Sequence, residues 1–403
     1  FLFYWLAGWI SSLGDGVFII ALTWMLVQTT GSSLIVGSYL FVLGVTKLVL
    51  IMFGGVVVDR VDNRKLLIFS DVTRAILMFM FFLMGGHSAP PLWSFYVIGV
   101  LFGIVDSVNE PASISCRTRI VEEKYYTQSM GLLMIAGNVS VIIGPSLGAL
   151  LVAYFSPLDA ILVNGASFLL SAVLILLVRF MPPVQHTEEP EKREGFFTGF
   201  KSGLTYFKST PILLAMATFA FFSNAAVGTT EITIPFLAKS LHAGVQGFGL
   251  MTTSIGIGSV AGAVLFSLFV IKRPRPYMTL LTCFLQGILL LLIGFTHNLW
   301  ILIALFILVG GHEAAVNIIA PSVNHTLIPP QLFGRVISIM IIVMSGSIPV
   351  SQAVTGWLMT RFEPHRIFIF AGLLEMAAAL ITFSLPVVRS HGKQVKPAKE
   401  EAM

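Results

Sequence analysis

Long apolar runs separated by short polar connections occupy almost the whole chain. The runs lie at about 2–27, 33–58, 66–86, 92–115, 129–154, 158–180, 211–238, 246–271, 277–296, 299–321, 335–360 and 367–388. Each run is long enough to cross the roughly 30 Å hydrocarbon layer of a bilayer as a helix, which needs about 20 residues. The pattern therefore predicts an all-α membrane protein with twelve transmembrane helices in two bundles of six.

A polar stretch between the sixth and seventh runs divides the chain. We expect an N-terminal bundle at 1–180, a linker at 181–210, a C-terminal bundle at 211–388 and a tail at 389–403. Large apolar residues recur at helical spacing within the linker: Phe196, Phe197, Phe200, Leu204 and Phe207. This spacing predicts an amphipathic helix at the membrane surface.

The composition changes the class of protein that can be considered. Hydrophobic residues make up 56% of the chain and charged residues only 11%, against roughly 25% charged in soluble domains. This excludes a disordered chain, a disulfide-rich secreted domain and a nucleic-acid-binding protein, although the net charge is +5. The two cysteines, Cys116 and Cys283, lie in or beside apolar runs and indicate neither a disulfide framework nor a zinc site.

The basic residues are distributed unevenly between the two sides of the predicted bundles. Of the 24 Lys and Arg residues, 19 lie in alternate connections or the tail, and three lie in the other connections. This positive-inside bias predicts that both termini, the linker and the tail are cytoplasmic. The chain begins at Phe1, so we expect a short leader before it; the first run is too long for a signal peptide.

The connection between the second and third runs contains a glycine and an acid at a distinctive spacing. It reads Gly55-Val-Val-Val-Asp59-Arg60-Val-Asp62-Asn63-Arg64-Lys65. The glycine lets two helices approach closely, and an acid four residues later can cap or pair with neighbouring helix ends. An ordinary positive-inside turn is the alternative interpretation of the basic residues.

The fifth run contains a second motif, Gly144-Pro145-Ser146-Leu147-Gly148-Ala149. Its Gly-x-Ser-x-Gly pattern also matches a hydrolase nucleophile elbow, but that elbow requires a strand, a turn and a helix. Here the motif lies inside a long apolar run. The proline predicts a kink, and the glycines predict close packing against a neighbouring helix.

The two sets of six runs show weak internal similarity. Tyr154-Phe-Ser-Pro157 ends the fifth run as Arg361-Phe-Glu-Pro364 ends the eleventh, and Pro111 in the fourth run has a counterpart in Pro321 of the tenth. Two parallel repeats around one cavity are the architecture of a rocking transporter.

The two motifs resemble signatures of the major facilitator superfamily. The loop signature of that family is Gly, three residues, Asp-Arg, one residue and Gly-Arg-Arg/Lys; Asp62 and Asn63 depart from it. The helix-five motif of its exporters is Gly-Pro-x-x-Gly-Gly, and Ala149 replaces the last glycine. The resemblance implies the major facilitator fold and favours export, on the residues Gly144, Pro145 and Gly148. It also implies that Asp59 latches the second helix to the eleventh in the outward-facing state, with Gly55, Arg60, Arg64 and Lys65 around it.

Three shorter segments are similar to one subgroup of that superfamily: Gly14-Asp15, Ser70-Asp71-Val-Thr-Arg74-Ala75 and Phe333-Gly334-Arg335-Val336. The subgroup contains macrolide and multidrug exporters and enterobactin exporters, which implies a location in the bacterial cytoplasmic membrane. Drug/proton antiporters of other subgroups carry an arginine in the fourth helix. The stretch from Tyr96 to Ser115 has none, so their proton relay does not transfer to this chain.

Acidic residues within the apolar runs are the candidate transport site, because a charge at mid-bilayer costs several kcal/mol and needs a partner or a function. They are Asp15, Asp106, Glu110, Glu231 and Glu313, on the first, fourth, seventh and tenth runs. In the resembling family these four helices line the central cavity. Asp106 and Glu110 share one helix face, and two like charges so close favour uptake of a proton.

Two basic residues also fall inside the runs. Asp15 and Lys47 both lie near mid-depth, and we expect them to form an ion pair, either as a structural link or as a proton-sensitive gate. Asp71 and Arg74 either neutralise one another or reach Glu110. Glu375, in the last run, is interpreted as structural.

Taken together, these features predict a secondary active transporter that exports amphipathic drug-like molecules by proton antiport with alternating access. The proton gradient would supply the energy, no cofactor is expected, and the protein would act as a monomer in the lipid bilayer. A siderophore or metabolite exporter and a lysolipid flippase remain alternatives. A membrane enzyme is disfavoured, because His312-Glu313-Ala-Ala-Val316 lacks the second histidine of a zinc protease and no nucleotide-binding loop is present.

Overall fold

The computed structural model describes residues 1–86, 90–117, 119–178, 196–268 and 274–391, and this part of the chain contains helices and no strand. The helices of the first half are α1 (Leu2–Thr30), α2 (Ser33–Arg60), α3 (Asn63–Met84), α4 (Leu92–Arg117), α5 (Tyr126–Tyr154) and α6 (Pro157–Leu177). A short helix, α7 (Phe196–Ser209), follows. The helices of the second half are α8 (Pro211–Ser240), α9 (Gly244–Ser267), α10 (Pro276–Phe295), α11 (Leu299–Leu327), α12 (Phe333–Leu358) and α13 (Pro364–Ser384), and α14 (Pro386–His391) ends the described chain.

The helices that span a membrane are those that the apolar runs predict. Twelve described helices, α1–α6 and α8–α13, are long and apolar enough to cross a bilayer. The prediction of an all-α protein with twelve spans is confirmed. The boundaries of the four segments stay a prediction, since 181–195 of the linker and 392–403 of the tail lie outside the described residues.

Local sequence sets where several of these helices begin and end. Gly31 ends α1 with a positive φ of 61°, which glycine adopts without strain, and Ser32 caps α2 by accepting the Ile35 N–H. Asp62 caps α3 by accepting the Arg64 N–H at 2.9 Å. The acid that departs from the family's loop signature therefore starts the next helix.

The helix pairings of the first half recur in the second. In the first half α1 packs on α5 and α6, α2 packs on α4, and α3 packs on α4 and α6. The second half repeats this arrangement: α8 packs on α12 and α13, α9 on α11, and α10 on α11 and α13. The two halves are thus parallel repeats, each a six-helix bundle, which we call the N-terminal and C-terminal bundles.

Successive spans run in opposite directions, so the molecule has two faces. We call the face with Arg64, Arg117 and Arg335 the basic face, and the face with Ser33 and Arg361 the opposite face. α1 begins at the basic face, and α2 begins at the opposite face.

The two bundles meet chiefly along two helix pairs, α2 with α12 and α5 with α9, with smaller contacts of α1 and α2 on α8 and of α1 on α9. Near the opposite face the Ser33 hydroxyl donates to the Gly356 carbonyl oxygen at 2.9 Å, and deeper in the same half the Ser146 and Thr253 hydroxyls are hydrogen-bonded at 2.8 Å. The contacts extend inward to about mid-depth, where Gly256 lies against the Val141 carbonyl. The opposite-face half of the molecule is therefore the joined half.

The linker segment forms a helix, α7, that packs on the C-terminal bundle, and its position at the membrane surface stays a prediction. Phe207 is buried among residues of the C-terminal bundle, and Gly203 lies against Arg335 of α12. The Arg335 guanidinium also donates to the Ser202 hydroxyl at 2.7 Å. The described end of the linker thus packs on protein, while the side chains of Phe196, Phe197 and Phe200 lie outside the described residues.

Candidate functional site

Arg74 is the centre of a charged network inside the N-terminal bundle. Its side chain is only 3% exposed, and its guanidinium lies 2.7 Å from the Asp71 carboxylate and 3.5 Å from the Asp106 carboxylate. Asp71 also accepts a hydrogen bond from the Ser171 hydroxyl of α6 at 2.6 Å, and the guanidinium lies over the Phe168 ring. One arginine therefore links α3, α4 and α6.

Lys47 forms a second ion pair, with Glu110 of α4 at 3.2 Å. The two side chains are 42% and 55% exposed, so this pair is far more open than that of Arg74. The expected pair between Asp15 and Lys47 is wrong. α2 packs on α4, with Thr46 against Gly103 of that helix, so the adjacent Lys47 reaches an acid of α4 rather than one of α1.

The two acids of α4 each have a basic partner of their own. Arg74 pairs with Asp71, which is the first of the two predicted alternatives. Its second partner is Asp106, whereas the other alternative predicted Glu110. The repulsion expected between Asp106 and Glu110 is thus offset by one cation from α3 and one from α2. Periodicity places both acids on one face but does not reveal which neighbouring helix supplies a cation.

Asp15 lies at the middle of α1 without an ion pair among the described residues. It is half-buried and lies within electrostatic range of Arg74 and Asp106. The neighbouring Gly14 brings α1 against α6, since a Cβ there would overlap the side chains of Asn164 and Ser167. Asp15 therefore lies at a tight helix crossing next to the charged network.

A polar cleft connects this region with the basic face. It has a volume of about 290 Å³ and extends from Tyr4 and Arg117 to Asp15 and Arg74. Four buried atoms of its lining make no hydrogen bond within the described part of the chain: Trp9 Nε1, Arg74 Nε, Asn109 Oδ1 and Arg117 Nε. Unsatisfied buried polar atoms in a cavity of this size are sites for water, which occupies roughly 30 Å³ per molecule. Water can therefore reach Asp15 from the basic face.

The acids of the C-terminal bundle lie in a different electrostatic setting. Glu231 of α8 is exposed and accepts a hydrogen bond at 2.8 Å from the Gln352 amide of α12. Glu313 of α11 is half-buried, and the charge of Glu231 acts on it. The basic residues of the described C-terminal bundle lie within about a turn of helix ends: Lys239, Arg275, Arg335, Arg361 and Arg366. Within that described bundle, neither acid has a cation at mid-depth.

The sequence alone does not single out Gln352 and leads only to a structural interpretation of Glu375. Gln352 is buried and holds Glu231, but a single glutamine in an apolar run gives no signal of its partner. Glu375 of α13 is buried beside Ser223 of α8 and was assigned only a structural role. The sequence does contain one indication that Glu375 is unusual: no Lys or Arg lies near the middle of any apolar run in the second half of the chain.

The helix-five motif lies at the junction of three helices. Gly144 lies against Gly16 of α1 and Gly148 against Val17, so α1 and α5 meet backbone to backbone. On the other side of α5, Gly249 of α9 leaves room for the Ala149 methyl group. The motif therefore fixes α5 to α1 and also forms part of the contact between the bundles.

The loop motif is described only in part. α2 continues as a helix through Gly55 and Asp59 to Arg60, but the side chains of these residues lie outside the description. The Arg64 guanidinium donates to the Leu176 carbonyl oxygen of α6, and Lys65 is exposed. The latch role of this set stays a prediction.

Known proteins resemble the chain in sequence along most of its length. Multidrug efflux pump Tap of Mycolicibacterium fortuitum is 22% identical, with 96% of each chain covered. Tap of Mycobacterium tuberculosis is 23% identical over 94% of this chain and 91% of its own. An uncharacterized transporter of the major facilitator type, YfiS of Bacillus subtilis, is 29% identical, but the match spans only 51% of this chain and 48% of YfiS.

Solved structures share the fold. The nucleoside transporter NupG superposes with a TM-score of 0.76 at 13% identity, covering 95% of this chain and 98% of that one. A bacterial homologue of the human lysosomal transporter Spinster gives a TM-score of 0.73 at 13% identity, covering 97% and 96%. The family model of the transmembrane secretion effectors matches residues 1–401. The chain is a transporter-fold membrane protein that belongs to the transmembrane secretion effector family of the major facilitator superfamily.

Proposed function

We propose that this protein is a secondary active exporter that exchanges protons for amphipathic drug-like molecules. The observation that supports this is the set of intramembrane carboxyl groups that form no ion pair among the described residues: Asp15, Glu231 and Glu313. A carboxyl group in a low-dielectric setting without a cation favours its neutral form, and such a group can bind and release protons. The name of the relatives called Tap supports a drug-like solute.

The basic residues support an orientation with the basic face in the cytoplasm of a bacterium. In that orientation the joined half of the two bundles faces outward, and the described state is open to the cytoplasm. The polar cleft then gives cytoplasmic water access to Asp15. Both termini are cytoplasmic, and the protein works as a monomer in the cytoplasmic membrane.

Transport in this proposal follows alternating access. In the described state the free acids release protons to the cytoplasm, and the resulting negative charge attracts the cationic part of an amphipathic solute. When the bundles rock, the acids meet the outer solution, take up protons and release the solute. Asp106 and Glu110, which have cations, shape the cavity and its field rather than exchange protons.

The loop motif is the proposed control of the rocking motion. By its resemblance to the superfamily signature, Asp59 stabilises the outward-facing state by joining the second span to the eleventh, here α2 and α12. Asp59→Asn is expected to abolish transport while the protein still folds. Normal turnover in that variant would exclude the latch.

The experiment begins with a binding screen of the purified protein against hydrophobic cations, macrolides, siderophores and lysolipids. A siderophore or a lysolipid as the only ligand would select one of the alternative functions. The strongest ligand is then followed in proteoliposomes with an imposed pH gradient. Asp15→Asn, Glu231→Gln and Glu313→Gln are each expected to lower gradient-driven transport by about tenfold or more.

Glu122→Gln is the matched control, because Glu122 lies in the exposed loop before α5 and pairs with Lys124. It is expected to transport like the parent. Proton coupling through these acids is excluded if the three variants keep full gradient-driven transport.

A further inference from the structure

Glu375 lies in the middle of α13 and is only 1% exposed. One turn further on, Ala379 belongs to a buried apolar cluster with Met216 and Phe219 of α8. Ionised carboxylates are almost never buried to this degree without a partner, because the lost hydration has to be replaced. The environment of this side chain therefore decides its protonation.

The hydrogen bonds of Glu375 satisfy only one of its two oxygens. Ser223 Oγ lies 3.0 Å from Glu375 Oε1 and 3.4 Å from Cys283 Sγ. Glu375 Oε2 has no hydrogen-bond partner in the described structure. A serine hydroxyl has one hydrogen to donate but accepts readily. A neutral Glu375 can donate to Ser223, and Ser223 can then donate to Cys283. An ionised Glu375 instead takes the single Ser223 hydrogen, which leaves Cys283 without a donor and leaves a negatively charged carboxylate with no donor at Oε2.

The groups that face Glu375 from neighbouring helices supply no cation. α8 presents Ser223, α10 presents Cys283, and Glu313 of α11 acts on Glu375 through its charge. His312, the residue before Glu313 on α11, forms no ion pair with Glu375, and its two buried ring nitrogens have no hydrogen-bond partner within the described residues. Asp71 in the N-terminal bundle provides the contrast, because it is similarly buried but has the Arg74 guanidinium at 2.7 Å.

Along the sequence, the nearest basic residue before Glu375 is the exposed Arg366, in the first turn of α13, and the nearest one after it is Arg389 of α14. The Arg389 side chain points to the end of the bundle. It is bound to the Phe383 carbonyl oxygen, two turns beyond Glu375. The exposure of the three acids falls in order into the bundle: Glu231 is exposed, Glu313 is half-buried and Glu375 is buried. Each acts on the next through its charge.

We infer that Glu375 is a proton-binding site of the C-terminal bundle. The site holds one proton, which Glu375 can donate to Ser223. When the proton leaves, the O–H bond at Glu375 breaks and an O–H bond forms on the acceptor; the ionised carboxylate of Glu313, whose charge acts on Glu375, is the acceptor that the exchange-rate measurement below tests. The use of this site in coupling rests on the proposed function, but the protonation of Glu375 does not.

Infrared spectroscopy of the purified protein near neutral pH tests the site without a substrate. The C=O stretch of a protonated carboxyl group shifts when the buffer is changed from H₂O to D₂O. We expect Glu375→Gln to lose one such component from the parent spectrum and to keep the parent's chromatographic profile. Ser223→Ala is expected to shift that component, because it removes the hydrogen-bond partner.

Glu363→Gln is the matched control, since Glu363 is the exposed residue just before α13. It is expected to leave the protonated-carboxyl band unchanged. Identical bands in the parent and Glu375→Gln would overturn the inference. A component that is lost in Glu375→Gln but never shifts in D₂O would also overturn it, because a proton that does not exchange cannot be loaded or emptied.

The relay has its own test in the rate of that isotope shift. Glu313→Gln is expected to slow the shift of the Glu375 component by about tenfold or more, because the amide cannot accept the proton. An unchanged rate would exclude Glu313 as the route. Since none of these measurements uses a transported molecule, a negative result leaves the proposed export function to be judged by the vesicle experiment.

Discussion

Asp106 and Glu313 occupy equivalent positions in the two bundles, and within the described structure only Asp106 has a basic partner. Each lies 14 residues beyond the first residue of its helix, α4 or α11. Asp106 has Arg74 of α3 at 3.5 Å, whereas the described mid-section of the C-terminal bundle holds no Lys or Arg. Both halves therefore have a carboxyl group at this position, but among the described residues only the one in the N-terminal half has a basic residue beside it.

This difference predicts opposite effects of neutral substitutions on stability. Asp106→Asn removes one partner of a buried guanidinium and is expected to lower the free energy of unfolding by about 1–3 kcal/mol. Glu313→Gln removes a carboxylate that no basic residue pairs with, so no ion pair is lost. It is therefore expected to leave the free energy of unfolding unchanged or to raise it. Thermal unfolding in detergent, followed by tryptophan fluorescence, measures both. Equal losses in the two variants would contradict the difference.

Arg74 is expected to be the least replaceable charge of the N-terminal bundle. Arg74→Met leaves the buried Asp71 without a cation, a change that typically costs about 3–5 kcal/mol. We expect little folded protein after size-exclusion chromatography. Lys47→Met is the control, because its partner is exposed and such a pair contributes about 1 kcal/mol or less. The prediction fails if both variants give the folded yield of the parent.

The pair of Lys47 and Glu110 predicts rescue by charge exchange. Lys47→Glu alone adds an acid beside Glu110 and Asp106 and is expected to reduce gradient-driven transport. Combining it with Glu110→Lys restores opposite charges across α2 and α4 and is expected to recover most of the activity. A double variant no better than the single one would show that the position of each charge matters more than the pair.

The contact between Gly249 and Ala149 predicts a substitution that shifts the conformational balance. The space beside Gly249 is filled by the Ala149 methyl group of α5, so the large side chain in Gly249→Leu would overlap it. We therefore expect this substitution to separate α5 from α9 at the opposite face. Spin labels at Tyr154→Cys and Trp300→Cys, after replacement of Cys116 and Cys283 by alanine, would report a longer distance. Both label sites are exposed.

Gly131→Leu is the matched control on α5, because a Cβ at Gly131 meets no other atom within 4 Å. It is expected to leave the distance distribution unchanged. The same distribution in Gly249→Leu and Gly131→Leu would show that the Ala149 contact does not hold the bundles together.

The sequence predicts the helices well, because the length of an apolar run reports directly on a membrane crossing. It also locates the charges that lie at mid-depth. It does not predict the pairing of Lys47 with Glu110, which depends on the direction in which α2 faces α4. α2 is apolar on nearly all sides, so its sequence has no polar stripe to show that direction.

Glu375 illustrates a second limit of the sequence. A carboxyl group in the last span looks the same in sequence whether it faces lipid, water or a neighbouring helix. Only the structure shows that Ser223, 152 residues away in the sequence, lies 3.0 Å from this carboxyl group and that Cys283 lies 3.4 Å from Ser223. Packing between distant helices, and not local pattern, creates this environment.

The uneven distribution of cations has a consequence for the response of the protein to voltage. Moving one elementary charge across a membrane changes the free energy by about 2.3 kcal/mol per 100 mV. In the N-terminal bundle, Lys47 and Arg74 offset part of the acidic charge at all times. The described C-terminal bundle has no such offset at mid-depth, so its interior carries uncompensated negative charge whenever Glu231 or Glu313 is ionised. Under the proposed exchange, the membrane potential therefore acts on a different net charge in each bundle, and a displacement of the ionised C-terminal acids across the field would contribute to the voltage dependence of the cycle.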